Sequence, residues 1–192
     1  QRPDGYIHTP VLIAEKNSGK TKAFEDRLNF ETYNLGHLMT AGVVHYRATG
    51  KKTLLNLAIK AADYLDNFYK RSSPELARNA ICPSHYMGVV ELYRTTKDPK
   101  YLQLAINLIN IRGLVESGTD DNQDRIPFRQ QKVAMGHAVR ANYLYAGVAD
   151  VYAETGEDSL MDCLNSIWDD VAHRKMYVTG GCGALYDGVS PY

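Results

Sequence analysis

Long apolar runs, surplus charge of either sign and abundant cysteine are all missing from this chain. No uncharged apolar stretch approaches the ~20 residues that a membrane-spanning helix needs, so no membrane partner is expected. Lys and Arg together number 22 against 22 Asp and Glu. That balance leaves no basic field to draw in nucleic acid or an anionic lipid surface, and the expected partner is a neutral molecule. The three cysteines, Cys82, Cys163 and Cys182, are too few and too scattered for a disulfide framework. They leave the compartment open, and the chain reads as soluble, cytoplasmic or periplasmic. The opening Gln1-Arg-Pro-Asp-Gly-Tyr6 has no signal-peptide pattern. Without an initiating Met it reads as part of a longer polypeptide.

What is present is a repeat. Tyr46-Arg-Ala-Thr-Gly-Lys-Lys-Thr-Leu-Leu55, Tyr93-Arg-Thr-Thr-Lys-Asp-Pro-Lys-Tyr-Leu102 and Tyr152-Ala-Glu-Thr-Gly-Glu-Asp-Ser-Leu-Met161 align without a gap. Their spacings, 47 and 59 residues, suit helical hairpins with variable returns. Each turn follows a weakly charged segment and precedes an amphipathic one. No charge falls between Glu31 and Arg47, which predicts a helix from about Phe30 to Thr49 covered on most sides. Thr53 to Lys70 carries Leu54, Leu57, Ala58, Ala61, Ala62, Leu65 and Phe68 on one stripe. The contrast recurs in Ala80–Val90 against Lys100–Arg112, with Pro83 before the helix or in its first turn. It recurs again in Gln131–Thr155 against Ser159–Lys175, the last placing Leu160, Cys163, Leu164, Ile167, Trp168 and Val171 inward. Residues 1–28 read as a loop or short hairpin, and 113–130 as an exposed polar connection.

A covered helix alternating with an amphipathic one is what a double ring of helices requires. The fold class is therefore all-α: three inner/outer hairpins, about half of an (α/α)6 toroid, after a short extended N-terminal segment. Residues 1–192 are taken as a single partial domain of that barrel. A solenoid that binds protein would make both helices of each pair amphipathic.

The short turns mark one end of the ring and make a ruler for the other. His37 precedes its turn tyrosine by nine residues, His85 by eight and His137 by fifteen, so all three sit toward the opposite mouth. Glycines precede two of them, in Gly36-His37 and Gly136-His137, where a missing side chain permits close approach. A neutral imidazole both donates and accepts, which suits sugar hydroxyls. Glu31, Asn34 and His37 share a helix face, and Gln130 or Gln131 opens the segment that carries His137. Glu31 and Gln131 equally suit helix-start capping.

Other candidates carry less. Cys82-Pro-Ser-His85 lacks a second pair at metal spacing. Thr179-Gly-Gly-Cys-Gly183 has no P-loop lysine. Asp120, Asp121 and Asp124 read as solvated, and no two carboxylates stand out as a glycosidase pair.

Six segments together resemble a known family: Gln1-Arg-Pro-Asp-Gly-Tyr-Ile-His-Thr9, Glu31-Thr-Tyr-Asn-Leu-Gly-His-Leu38, Val90-Glu-Leu-Tyr-Arg94, Arg129-Gln-Gln131, Gly136-His-Ala-Val-Arg140 and Arg174-Lys-Met-Tyr-Val-Thr-Gly-Gly181. Taken in order they are similar to the β-L-arabinofuranosidases of glycoside hydrolase family 127. The resemblance implies an (α/α)6 catalytic barrel and a retaining, exo-acting hydrolase of terminal β-L-arabinofuranosides from plant-type glycans. It further implies a nucleophilic cysteine thiolate held on zinc by two more cysteines and a glutamate, with a separate glutamate as acid/base. Those residues follow the Thr-Gly-Gly loop in the family and are expected beyond Tyr192. No metal ligand is expected within this chain, and closing the barrel needs the rest of the polypeptide.

What the resemblance carries over is the sugar-binding side: His37 and His137 directly, and His85 by position. Around His85 the sequence Pro83-Ser-His-Tyr-Met-Gly88 departs from the family's usual pattern. The competing functions are another α/α-toroid enzyme, an unsaturated uronyl hydrolase or a sugar epimerase, and a non-enzymatic helical repeat. An anionic substrate would want an inner-helix arginine, for which Arg140 is the candidate.

Overall fold

Three helices end in the same way, and that shared ending organises the molecule. The computed structural model describes residues 1–18, 22–71 and 85–183. Seven α-helices lie among them: α1 (Thr9–Ser18), α2 (Glu31–Thr49), α3 (Thr53–Lys70), α4 (His85–Thr96), α5 (Pro99–Arg112), α6 (Ala138–Thr155) and α7 (Asp158–Asp170). At the ends of α2, α4 and α6 the threonine hydroxyl donates back to the carbonyl four residues earlier: Thr49 to His45 at 2.7 Å, Thr96 to Leu92 at 2.7 Å and Thr155 to Val151 at 2.9 Å. It also accepts from the amide two residues on, in Lys51, Asp98 and Glu157. The residue after the threonine is left-handed, and its amide caps the turn tyrosine's carbonyl at 2.8 Å in all three turns. Glycine serves at 50 and 156, whereas Lys97 holds φ 61° without that freedom.

The hairpins stack in two layers. α2 contacts α4, and α4 contacts α6; α3, α5 and α7 back them from outside. Small residues set the spacing of the inner row. A Cβ on Gly88 would lie 2.5 Å from the Gly36 carbonyl oxygen, and one on Gly147 would lie 2.5 Å from the Tyr86 Cβ. Gly88 therefore lets α4 approach the backbone of α2 just before His37. Met39, Val43, Val89, Leu92, Leu144 and Val148 fill the seams between the layers, all fully buried.

Several segments differ from the sequence-based expectation. The N-terminal stretch contains helix α1, with Pro10 in its first turn where a missing N–H does no harm. Residues before it are pinned to α3: the Gln1 amide donates to the Leu57 carbonyl at 2.9 Å, and Gly5, at φ 101°, lies where a Cβ would overlap the Lys60 carbonyl. The third inner helix begins at Ala138 instead of Gln131.

The connection 113–130 is not simply exposed, because Asn122, Gln123, Asp124 and Phe128 are buried. Asp124 accepts from the Thr119 amide at 2.7 Å and from the Asn122 side chain at 2.8 Å. It is a folded ligature, and a solvated aspartate was the wrong expectation. Trp168 is 62% exposed although helical phase pointed it inward. Asp66 on α3 lies off the apolar stripe yet is buried, with Lys70 paired to its carboxylate. The α-helix of the last pair ends at Asp170 and passes into a π turn, Val171–Lys175. There the Lys175 side chain is buried against Asp170 and the Ala134 carbonyl. The expected helix start at Ala80, Cys82 and Pro83 lie outside the described residues.

Candidate functional site

The inner helices carry two contrasting bands. At the short-turn end a network of charges joins all three. The Arg94 guanidinium donates to Glu91 at 2.8 Å, Asp150 at 2.8 Å and Glu154 at 2.5 Å, and Arg47 bridges to Glu91 at 2.5 Å. Partial burial works to raise the Glu91 carboxyl, but the hydrogen bonds from Arg94 and Arg47 outweigh it and hold that group below the ordinary carboxylate range. The Glu-Leu-Tyr-Arg94 motif is thus a tie between helices.

Ten residues earlier on α2, about 15 Å along its axis at ~1.5 Å per residue, lies the second band. His37 is exposed there, between two half-buried tyrosines. Its ring centroid is 4.5 Å from that of Tyr33, at an interplanar angle of 71°, and 5.8 Å from that of Tyr143 on α6, at 81°. Tyr33 and Tyr143 meet at 6.0 Å and 84°, and Phe30 extends the group beside Tyr33. Sequence reasoning did not select Tyr33 or Tyr143. The ruler contained the signal for the latter, since Tyr143 precedes Tyr152 by nine residues, the offset of His37 from Tyr46.

The remaining predicted residues have distinct places. His137 is the N-cap residue of α6. Its carbonyl accepts from the Ala141 amide, and its own amide donates to Asp121 at 3.1 Å. Its Nδ1 is buried and has no hydrogen-bond partner among the described residues. Gly136 before it stands at φ 78°, where a Cβ would overlap the Asp120 carbonyl, so that glycine serves the loop contact. His85 opens α4 between the other two in the row, and its side chain lies outside the described residues.

Asn34 is exposed and lines a groove of ≈360 Å³ with Ile7, His8, Thr9, Pro10, Leu35 and Leu38. Glu31 is buried; it accepts from the Tyr6 hydroxyl and, at 2.9 Å, from the Phe24 amide, with His8 Nδ1 4.0 Å away. Burial pushes its carboxyl above the ordinary range, against the hydrogen bond from Tyr6. Gln131 is also buried, its amide donating to the Gln123 and Ile126 carbonyls at 3.0 and 2.9 Å. Arg140 pairs with Asp121, which leaves it a poor receptor for an anionic sugar.

Among the described residues no three of His, Cys, Asp and Glu converge to hold a metal ion. Cys163 is buried, which pushes its thiol up and away from the thiolate a metal needs. Cys182, bridged to Met176, accepts from the Asn142 amide at 3.4 Å. These residues do not fit a zinc centre. No helix is long and apolar enough to cross a membrane, again among the described residues.

The sequence model of the catalytic domain of GH127 β-L-arabinofuranosidases matches residues 1–191. This chain belongs to the GH127 family. It is 31% identical, over 99% of its length, to a non-reducing end β-L-arabinofuranosidase of Bifidobacterium longum subsp. longum, of which it spans 32%. A solved structure described as a glycoside hydrolase is 69% identical and superposes with a TM-score of 0.84, covering all of this chain and 29% of that one. A GH127 β-L-arabinofuranosidase from Geobacillus stearothermophilus T6 is 31% identical with a TM-score of 0.83, over 98% of this chain and 32% of its own. The GH127 chain thus spans about a third of the relatives it matches, and its helices form part of an α/α toroid.

Proposed function

We propose that this chain supplies the sugar-binding wall of a retaining, exo-acting β-L-arabinofuranosidase, and that residues 1–192 are one part of its (α/α)6 catalytic domain. The observation that carries the reading is the exposed His37, framed by Tyr33 and Tyr143 on the face opposite the short turns, in a chain whose sequence matches that catalytic domain from end to end. Imidazole nitrogens supply both the donor and the acceptor that a neutral sugar takes. His37, His85 and His137 contact the hydroxyls of the sugar next to the scissile bond. Asn34 borders them, and Glu31 and Gln131 act through the backbone they hold. The zinc and cysteine chemistry of the resemblance belongs to residues outside this chain. An apolar groove of ≈420 Å³ lies between α6 and α7, where Trp168 stands exposed.

The test is steady-state kinetics of the intact enzyme on an aryl β-L-arabinofuranoside. His37→Ala and His137→Ala are each expected to lower kcat/KM at least about tenfold, the loss of one sugar hydrogen bond. Wild-type kcat/KM in both would sink the assignment of this wall.

A further inference from the structure

We propose that Tyr143 and Tyr33 are positioning residues, which fix the orientation of the His37 imidazole so that it meets the sugar already aligned. This rests on the sugar-wall reading above. His37 is exposed on the second turn of α2, where an unsupported imidazole would rotate among its side-chain wells and lose that freedom on binding. Instead its ring stands near-perpendicular to a tyrosine on each side, at 71° and 81°, with centroids 4.5 and 5.8 Å away. Those are favourable edge-to-face separations for aromatic rings. The two tyrosines also meet each other at 84°, so the three rings brace one another.

The placement argues that bracing is what these rings are for. Both tyrosines are only half-buried, whereas Tyr86 and Tyr101 are fully buried, so filling the core does not by itself account for them. Tyr33 lies one turn before His37 on its own helix, but Tyr143 comes from α6, two hairpins later in sequence. The contact therefore exists only when α2, α4 and α6 are assembled, and it couples sugar recognition to the alignment of the inner row.

The experiment is a double-mutant cycle in the intact enzyme, read as KM and kcat on an aryl β-L-arabinofuranoside with thermal unfolding as the folding control. Tyr143→Ala is expected to raise KM about fivefold, the size of one lost edge-to-face ring contact, with kcat within about twofold. Tyr143→Phe, which keeps the ring, is expected to restore wild-type KM. In a His37→Ala background Tyr143→Ala should add less than about twofold, because the group it positions is gone. If Tyr143→Ala fails to fold, Tyr143→Leu carries the same expectations. Independent, multiplicative losses would overturn the proposal. So would an unchanged KM in Tyr143→Ala while His37→Ala weakens binding, and that second result would leave the sugar wall standing. Unchanged kcat/KM in His37→Ala would overturn the proposal as well, and together with unchanged kcat/KM in His137→Ala it would remove the wall itself.

Discussion

Glu31 illustrates how one residue type admits opposite readings. At the start of an apolar helix a glutamate suits capping or a sugar pocket, yet here it is 4% exposed and holds the Tyr6 hydroxyl and the Phe24 amide. Because burial raises its folded-state pKa, the native state binds a proton more readily than the unfolded chain. Stability from this group is therefore present below its unfolded pKa and is lost as pH rises through the raised one. Glu31→Gln keeps one acceptor and removes the buried charge, so it should leave stability at pH 7.5 unchanged or higher. Its advantage over wild type should shrink as pH falls to 5, as chemical denaturation at the two values would show. A Glu31→Gln protein that gains on wild type as pH falls would contradict this. Such an anchor is invisible in sequence, because its partners lie 25 and 7 residues away on loops without periodicity. Tyr143 was partly visible: the repeat sets its register, but only packing puts it beside His37.

Elements were legible where a local signal acts alone. α3 runs Thr53–Lys70 as its apolar period predicts, and α2 ends at Gly50. α6 begins seven residues later than its low charge suggested, because the Gln123 side chain gathers the Met135 and Asp121 carbonyls and holds the preceding strand of chain out of helix. α1 was missed since its moment is weak and its polar face rests on neighbouring chain, with Glu15 joined to Arg2. The three capped turns also expose an imperfection: Lys97 occupies the left-handed site that glycine fills twice. Lys97→Gly should raise unfolding free energy by about 0.5–1 kcal/mol. A shift in the denaturation midpoint at constant m-value would show it, and a lowered midpoint would refute it.

At the scale of the whole molecule, the inner row is held by close backbone contact at one level and by charge at another. Arg94 faces Glu91, Asp150 and Glu154 from α4 and α6, all about three-quarters buried. Arg94→Met would leave three carboxylates facing one another without their guanidinium. Partial solvation softens that penalty, so a loss of about 1–3 kcal/mol is expected. The loss should narrow in high salt, which screens the remaining repulsion, and a loss independent of salt would point to packing alone.

By itself the sequence determined that the chain is a series of helical hairpins with one repeated turn. It determined too that three histidines stand at the far end from that turn, because both facts follow from short-range hydrogen bonds and a 3.6-residue period. Which side chains meet was decided only by the tertiary structure. Gly36 against Gly88, Glu31 under Tyr6 and His37 between Tyr33 and Tyr143 are contacts across helices, and no local propensity encodes the distance between two helix axes.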